Sequence, residues 1–384
     1  NFKDQAFAKR SIAAFREAGM PENPPYTKPD KPSIAVLPFT NLSDDKEQEY
    51  FADGMTDDLI TDLSKLSGLI VIARNSVFTY KGRSVKVQEV AKDLNVTHVL
   101  EGSVRRAGGK VRINAKLIDA KSGAHLWAET FDRDYKDIFA LQDEVTSEIV
   151  KALQLTLSSA EKTKLAKQPT TSTAAYDLYL RAKEAHNRLN HRKSLKEALN
   201  LFQQALTLDP TFSAAYAGDA QVAALAWYSS YREVLKGGEA RHRAEQSLAR
   251  ALKLDPDNVD ALLTRAWLQS YEGPPGTALT TVREIVAAHP NNAKALRQLG
   301  IELAINGRAK EGVASIEHAL RLDPKPNTVG THITGLVYVM AEQNEKGLFF
   351  TAMSPGGRRS PSTPTWAKSS LTPSWGNWRK RGRR

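Results

Sequence analysis

The chain has 384 residues, 41% of them hydrophobic, no cysteine and a formal charge of +11, which is enough length for two or three domains with buried cores. The missing cysteines exclude a disulfide framework, a thiolate nucleophile and a cysteine-ligated zinc. No apolar run reaches the roughly 18 to 20 residues that span a bilayer and no signal-peptide core stands at the start, so the cytoplasm is the expected location, or the envelope if an anchor lies upstream.

Residues 1–31 begin at Asn rather than Met and read as the end of a helix plus a proline-rich linker, a fragment of an upstream region. Residues 33–39, SIAVLPF, form an apolar run stopped by proline, as a buried strand leading into a loop does. Phe51, Met55, Leu59, Leu63 and Leu66 recur at helical spacing and lay an apolar stripe over that strand. A second strand is expected in LIVIAR (69–74), a helix in VQEVAKDLN and a third strand in THVLEGSVRR. Turns at 107–109 and 120–123 separate KVRINAKLID from AHLWAETFDR. Val111, Ile113, Ala115 and Leu117 alternate with polar residues, so an antiparallel meander with one wet face follows. A closing helix from about Ile138 to Leu155 carries Ile138, Leu141, Val145, Ile149 and Leu153 on one side.

Asp44, Asp45, Glu47, Glu49, Asp53, Asp57, Asp58 and Asp62 crowd the first loop and helix. A hard cation would need several of these oxygens converging on one point. Those in the loop and at the helix start suit amide capping and the helix dipole. Asp57, Asp58 and Asp62 fall opposite the apolar stripe, so a capped, solvated helix is expected and no metal site. No Gly-rich phosphate loop, GxSxG turn or HExxH pair occurs. His186 and His191, five apart, do not share a helical face. No catalytic residue, cofactor or metal ligand is therefore assigned.

The segment KPSIAVLPFTNLSDDKEQEYFADGMTDDLITDLSKLSGLIVIARNSVFTYKG, with HVLEGSVRR, VRINAKLIDAKSGAHLWAETFDRD and IFALQDEVTSEIV, resembles the TolB-like α/β domain of bacterial signalling proteins over roughly residues 32 to 158. That resemblance implies a regulatory module without catalytic residues of its own. It also implies a place beside a class III nucleotide cyclase or a winged-helix DNA-binding domain upstream and a repeat array downstream.

After a linker at 159–172, the second half repeats. The prolines that close LTLDP, LKLDP, AAHP and LRLDP are Pro210, Pro256, Pro290 and Pro324, at intervals of 46, 34 and 34 residues. A 34-residue helix-turn-helix period is that of tetratricopeptide repeats. Twelve residues before each proline stand Ala198, Ala244, Ala278 and Gly312; eight before stand Phe202, Leu248, Val282 and Ile316; five before stand Ala205, Ala251, Ile285 and Ala319. The small residues permit close helix approach and the large ones fill the gap. The first interval holds about 12 extra residues near WYSSYREVLKGG, read as longer helices or a loop. The pattern restarts in THITGLVYVMAEQNEKGLFF and the array is placed at 173–350.

Residues 351–384 hold eight of the chain's Lys and Arg and no acid, which leaves only about +3 on the rest. With Trp366, Trp375 and Trp378 the tail could hold phosphates and stack bases. Its Ser, Pro, Gly and Arg composition instead reads as a disordered tail, and its abrupt start inside a repeat as a frame slip. Nucleic acid is not the expected partner.

The expected fold is thus α/β plus all-α, a TolB-like α/β domain followed by a tetratricopeptide-repeat solenoid. Its partner is a protein or peptide held on the inner helices, with Lys183, Asn187, Gln221, Trp267, Tyr271, Lys294 and Arg297 as groove candidates; no membrane contact is expected, and a homodimer would form through an upstream domain. A mixed basic and aromatic groove suits an extended peptide with acidic groups. The expected function is that of a non-catalytic regulatory and interaction module from the C-terminal part of an adenylate or guanylate cyclase-type protein. The alternatives are the sensory half of a winged-helix regulator and a freestanding scaffold.

Overall fold

The computed structural model describes residues 31–188 and 192–353. The expected N-terminal helix, His191 and the basic tail after Met353 lie outside the described residues. β1 (Ser33–Val36) is wholly buried and pairs in parallel with β3 (Ile70–Val71) on one side and β4 (His98–Ala107) on the other. β5 (Lys110–Asp119) and β6 (His125–Asp134) extend the sheet antiparallel, giving the order β3-β1-β4-β5-β6, with β2 (Thr40–Asn41) beside β4. Val111, Ile113, Ala115 and Leu117 are fully buried on one face, as the alternation predicts.

Three helices flank the sheet: α1 (Glu49–Ser64), α2 (Val87–Leu94) and α3 (Ile138–Ala152). Phe51, Met55, Leu59 and Leu63 of α1, with Ile138, Leu141, Val145 and Ile149 of α3, supply the core of one layer. The chain passes from β1 to β3 through α1, then back across β1 to β4 through α2. Right-handed crossovers in opposite directions put α1 and α2 on opposite faces. Beyond α2 the outer face of β4, β5 and β6 is open.

β3 is much shorter than the LIVIAR run suggests. Ile72 still gives its N–H to Ile34 O, but Ala73 donates to Leu322 O of the distant repeats and Arg74–Val77 coils into a helical turn. A tertiary partner ends this strand, and no local breaker does.

Next, α4 (Ser159–Leu165) begins with a capping box between Ser158 and Glu161. Five antiparallel pairs follow: α5 (Thr173–Asn187) with α6 (Arg192–Leu208), α7 (Ser213–Tyr228) with α8 (Gly237–Leu254), α9 (Val259–Glu272) with α10 (Thr277–Ala288), α11 (Ala293–Ile305) with α12 (Ala309–Leu322), and α13 (Thr328–Met340) with α14 (Asn344–Met353). Each pair is one repeat unit, and neighbours bury each other. Gly312, twelve residues before Pro324, lets its helix approach closely, since a Cβ there would stand 2.5 Å from Gly300 O; Gly218, outside the predicted positions, does the same against the Phe202 ring at 2.3 Å. The extra residues of the first interval go into longer α7 and α8 helices and the loop at 229–236, which buries Val234.

The segment between the two halves is pinned. Glu161 accepts hydrogen bonds from Ser67 N (2.8 Å) and Ser67 Oγ (2.9 Å), and Thr170 Oγ1 donates to Asp209 at 2.5 Å. These bonds hold the segment against both halves. Among the described residues no helix is long and apolar enough to cross a membrane.

Candidate functional site

The inner face of the repeats is made by α5, α7, α9, α11 and α13, and the α/β domain touches the array at two places, the first helix pair and the fourth of the five. At the near end α1 packs on α5. Gly54, inside α1, lets the helices meet so closely that a Cβ there would stand 2.7 Å from Leu180 Cδ2. Lys183 of α5 reaches Asp57 at 2.6 Å and Asp58 at 3.5 Å. Tyr176 donates to Asp58, and Gln142 of α3 donates to Tyr176 Oη at 2.7 Å. Around these, Asp177 accepts from Tyr50 Oη (2.6 Å) and Arg106 (2.6 Å), while Arg106 stacks 3.7 Å over the Tyr135 ring.

These contacts correct the expectation of a solvated acidic helix face. Asp57, Asp58 and Asp62 do lie opposite the apolar stripe, but that side of α1 is covered by α5 and the start of the array. Asp53 is only 9% exposed and binds Lys81 Nζ through both oxygens at 2.6 Å. Burial raises the Asp53 and Asp58 carboxyls above their ordinary values. Burial works the same way on Asp57, but the charges of Lys183 and Arg74 outweigh it and hold that carboxyl low. Lys183 is likewise disfavoured by burial, yet Asp57, Tyr179 and Asp58 raise it well above the ordinary lysine value. The cluster is an interdomain charge lock. Among the described residues no group of three His, Cys, Asp or Glu is placed to hold a metal.

At the second contact a dry ion pair forms the centre. Arg297 of α11 pairs with Asp323 at 3.0 Å, and the two side chains are 6% and 1% exposed. Asp323 also accepts from Ser76 Oγ at 2.6 Å. Ala73 N–H donates to Leu322 O at 2.7 Å, and Asn291 Nδ2 to Leu69 O at 3.2 Å. Beyond it, Lys325 holds Asp93 and, at 2.9 Å, Tyr80 Oη.

The seven groove candidates therefore divide. Lys183 and Arg297 are structural members of these two contacts. Asn187 is exposed beside the α1–α5 crevice, and Gln221 is half-buried on α7. Trp267 and Tyr271 of α9 join Tyr228 of α7 in a ring cluster, with centroids 5.4 Å (Tyr228–Trp267) and 4.9 Å (Tyr228–Tyr271) apart. Tyr228 and Tyr271 are 47% and 46% exposed. Lys294 pairs with Asp260 at 3.2 Å, both exposed, and Asp260 raises Lys294 above its ordinary value. His186, next to this pair, is pushed down to about 4 by burial and by Lys294. Sequence reasoning missed Tyr50, Asp57, Asp58, Tyr176, Asp177, Ser76 and Asp323. The legible signal was Gly54 in mid-helix, a position that costs helix stability unless another element must approach.

Fold and site together define a two-part protein, an α/β domain held at two places by an array of antiparallel helix pairs. Residues 30–148 match the family model of the second domain of HilA/YgeH-like transcriptional regulators. A putative adenylate cyclase 3 of Rhizobium meliloti (strain 1021) is 49% identical over 215 residues, covering 56% of this chain and 35% of that protein. The chain thus spans about a third of the length of this relative. Among solved structures, a thermophilic TPR protein of Thermus thermophilus is 15% identical with a TM-score of 0.38, over 52% of this chain and 99% of the other. TolB from Acinetobacter baumannii is 17% identical with a TM-score of 0.25, over 34% of this chain and 30% of the other.

Proposed function

We propose that this chain is a regulatory and protein-interaction module, part of a signalling protein similar to adenylate cyclase, whose catalytic chemistry belongs to another part of the molecule. The observation that carries the reading is the 49% identity to a putative adenylate cyclase through a segment that is only a third of it. The two-ended grip supports a regulatory role: a domain held by the first and fourth repeats changes its seat when either end is loosened. The part of the inner face left open, around Tyr228, Trp267 and Tyr271, suits a protein or peptide partner, because aromatic rings supply contact area at little entropic cost.

The test uses the full-length protein containing this chain. Conversion of ATP to cyclic AMP is compared with that of the same protein carrying Lys183→Met. A cyclase whose rate changes at least several-fold supports the regulatory reading. A cyclase whose rate is unchanged, or a protein that makes no cyclic nucleotide, overturns it. The family match at residues 30–148 favours a second reading, the sensory half of a winged-helix transcriptional regulator. Sequence-specific binding of promoter DNA by the full-length protein, without cyclic nucleotide synthesis, would establish that reading.

A further inference from the structure

The open outer face of β4, β5 and β6 forms the floor of a trough of about 890 Å³, walled by the segments that follow β1 and β3. This position is a topological switch point. The chain leaves β1 for β3 on one side and then crosses to β4 on the other, and a crevice opens at the carboxyl ends of strands where the order reverses in this way. The floor is a polar ladder across three strands: Asn114 Nδ2 donates to Ser103 Oγ at 3.1 Å, and Thr130 Oγ1 donates to Asn114 Oδ1 at 2.8 Å. One step along, Glu101 stands opposite Lys116 in register. Among the described residues neither side chain has a hydrogen bond or ion pair, so both charges are available to a ligand.

We propose that this trough binds a small, uncharged, hydroxyl-rich molecule of the mono- or disaccharide class. The lining charges balance, with Arg83 and Lys116 against Glu101 and Glu129, so a phosphate or other anion gains no net attraction. An apolar ligand would strip water from the ladder without replacing its hydrogen bonds. Sugar hydroxyls both donate and accept, which is what a carboxylate, an ammonium and an amide side by side require. The volume lies within the range of small-molecule sites. The wall also reaches the repeats: Tyr80 lines the trough and is held by Asp93 and by Lys325 beyond the fourth repeat. Occupancy thereby bears on the far-end contact of the array.

This inference deepens the regulatory reading by naming what the α/β domain senses. Direct binding to the chain is measured without reference to cyclase activity, so either idea can fail alone. The experiment is saturation-transfer NMR on the complete chain with glucose, maltose and trehalose as neutral probes, and AMP and lysine as charged ones. Lys116→Ala and Thr130→Val are run alongside, both on the open face and checked for unchanged melting. The proposal expects transfer to at least one neutral sugar, weakened about 10-fold by either substitution, as for one lost hydrogen bond. No transfer to any of the three sugars, transfer to a charged probe alone, or equal binding by both variants would overturn it.

Discussion

At α5 the α/β domain rests on a broad, part-wet surface of charges and rings, whereas at residues 322–325 it touches the array through a contact centred on one buried ion pair, Arg297–Asp323, with the exposed Lys325–Asp93 pair at its edge. The near contact joins segments that the linker already keeps close, so little chain entropy is lost in making it. The far contact brings Ser76 to Asp323 across 247 residues. It depends on all four intervening helix pairs being folded and in register. A wide interface can spread its charges and stay part-solvated, but a small one has to bury its few polar groups with full partners.

The first way to break this contrast is to remove the counter-charge at the dry end. Arg297→Leu leaves Asp323 buried at 1% exposure without its guanidinium, and should lower stability by about 3 to 5 kcal/mol in urea unfolding. A loss below about 1 kcal/mol would show that the hydrogen bonds Asp323 accepts from Ser76 Oγ (2.6 Å) and Asn75 Nδ2 (3.4 Å) suffice to hold it.

The second probe is pH. Burial and the nearby Lys294 push His186 down to about 4 from its ordinary 6.5, so the folded chain resists the proton that the unfolded chain accepts. The sign follows: full stability above pH 6.5, lost progressively as pH falls toward 4, by up to about 3 kcal/mol. His186→Gln, which cannot titrate, should flatten this slope when denaturation midpoints are compared across that window.

At the wet end, Lys183→Met should cost about 2 kcal/mol, less than Arg297→Leu because the lysine and Asp57 are 24% and 17% exposed. Limited proteolysis after Ala166 should speed up as α5 loosens from α1. The smallest effect belongs to the open middle of the array. Tyr271→Ser, at a side chain 46% exposed, should change stability by less than about 1 kcal/mol. A larger loss would mean that the ring cluster holds α7 to α9 rather than facing a partner.

The fold class was legible because two periods, 2 in β5 and 34 in the proline spacing, each have one structural solution. Periodicity also placed the buried stripe of α1. What it could not do was assign the opposite side of that helix. Asp57 and Asp58 look the same in sequence whether they meet water or Lys183, since the partner lies more than a hundred residues away. Arg297 looks like a groove residue for the same reason: a basic side chain on an inner helix gives no sign that Asp323 will bury it. Ala73 shows the limit for strands, where an apolar run stops pairing because a distant carbonyl takes its N–H.

That single hydrogen bond from Ala73 to Leu322 also sets an order of events during synthesis. The sheet can form as soon as β6 has emerged, but the ribosome must add nearly two hundred further residues before Leu322 arrives, a delay of roughly 10 to 40 s at cellular elongation rates. Through that interval the turn after β3 waits with its amide and Ser76 unmet. The nascent domain is thus native in its sheet and unfinished at its rim, and a chaperone or a premature stop acting in that window would find the rim first.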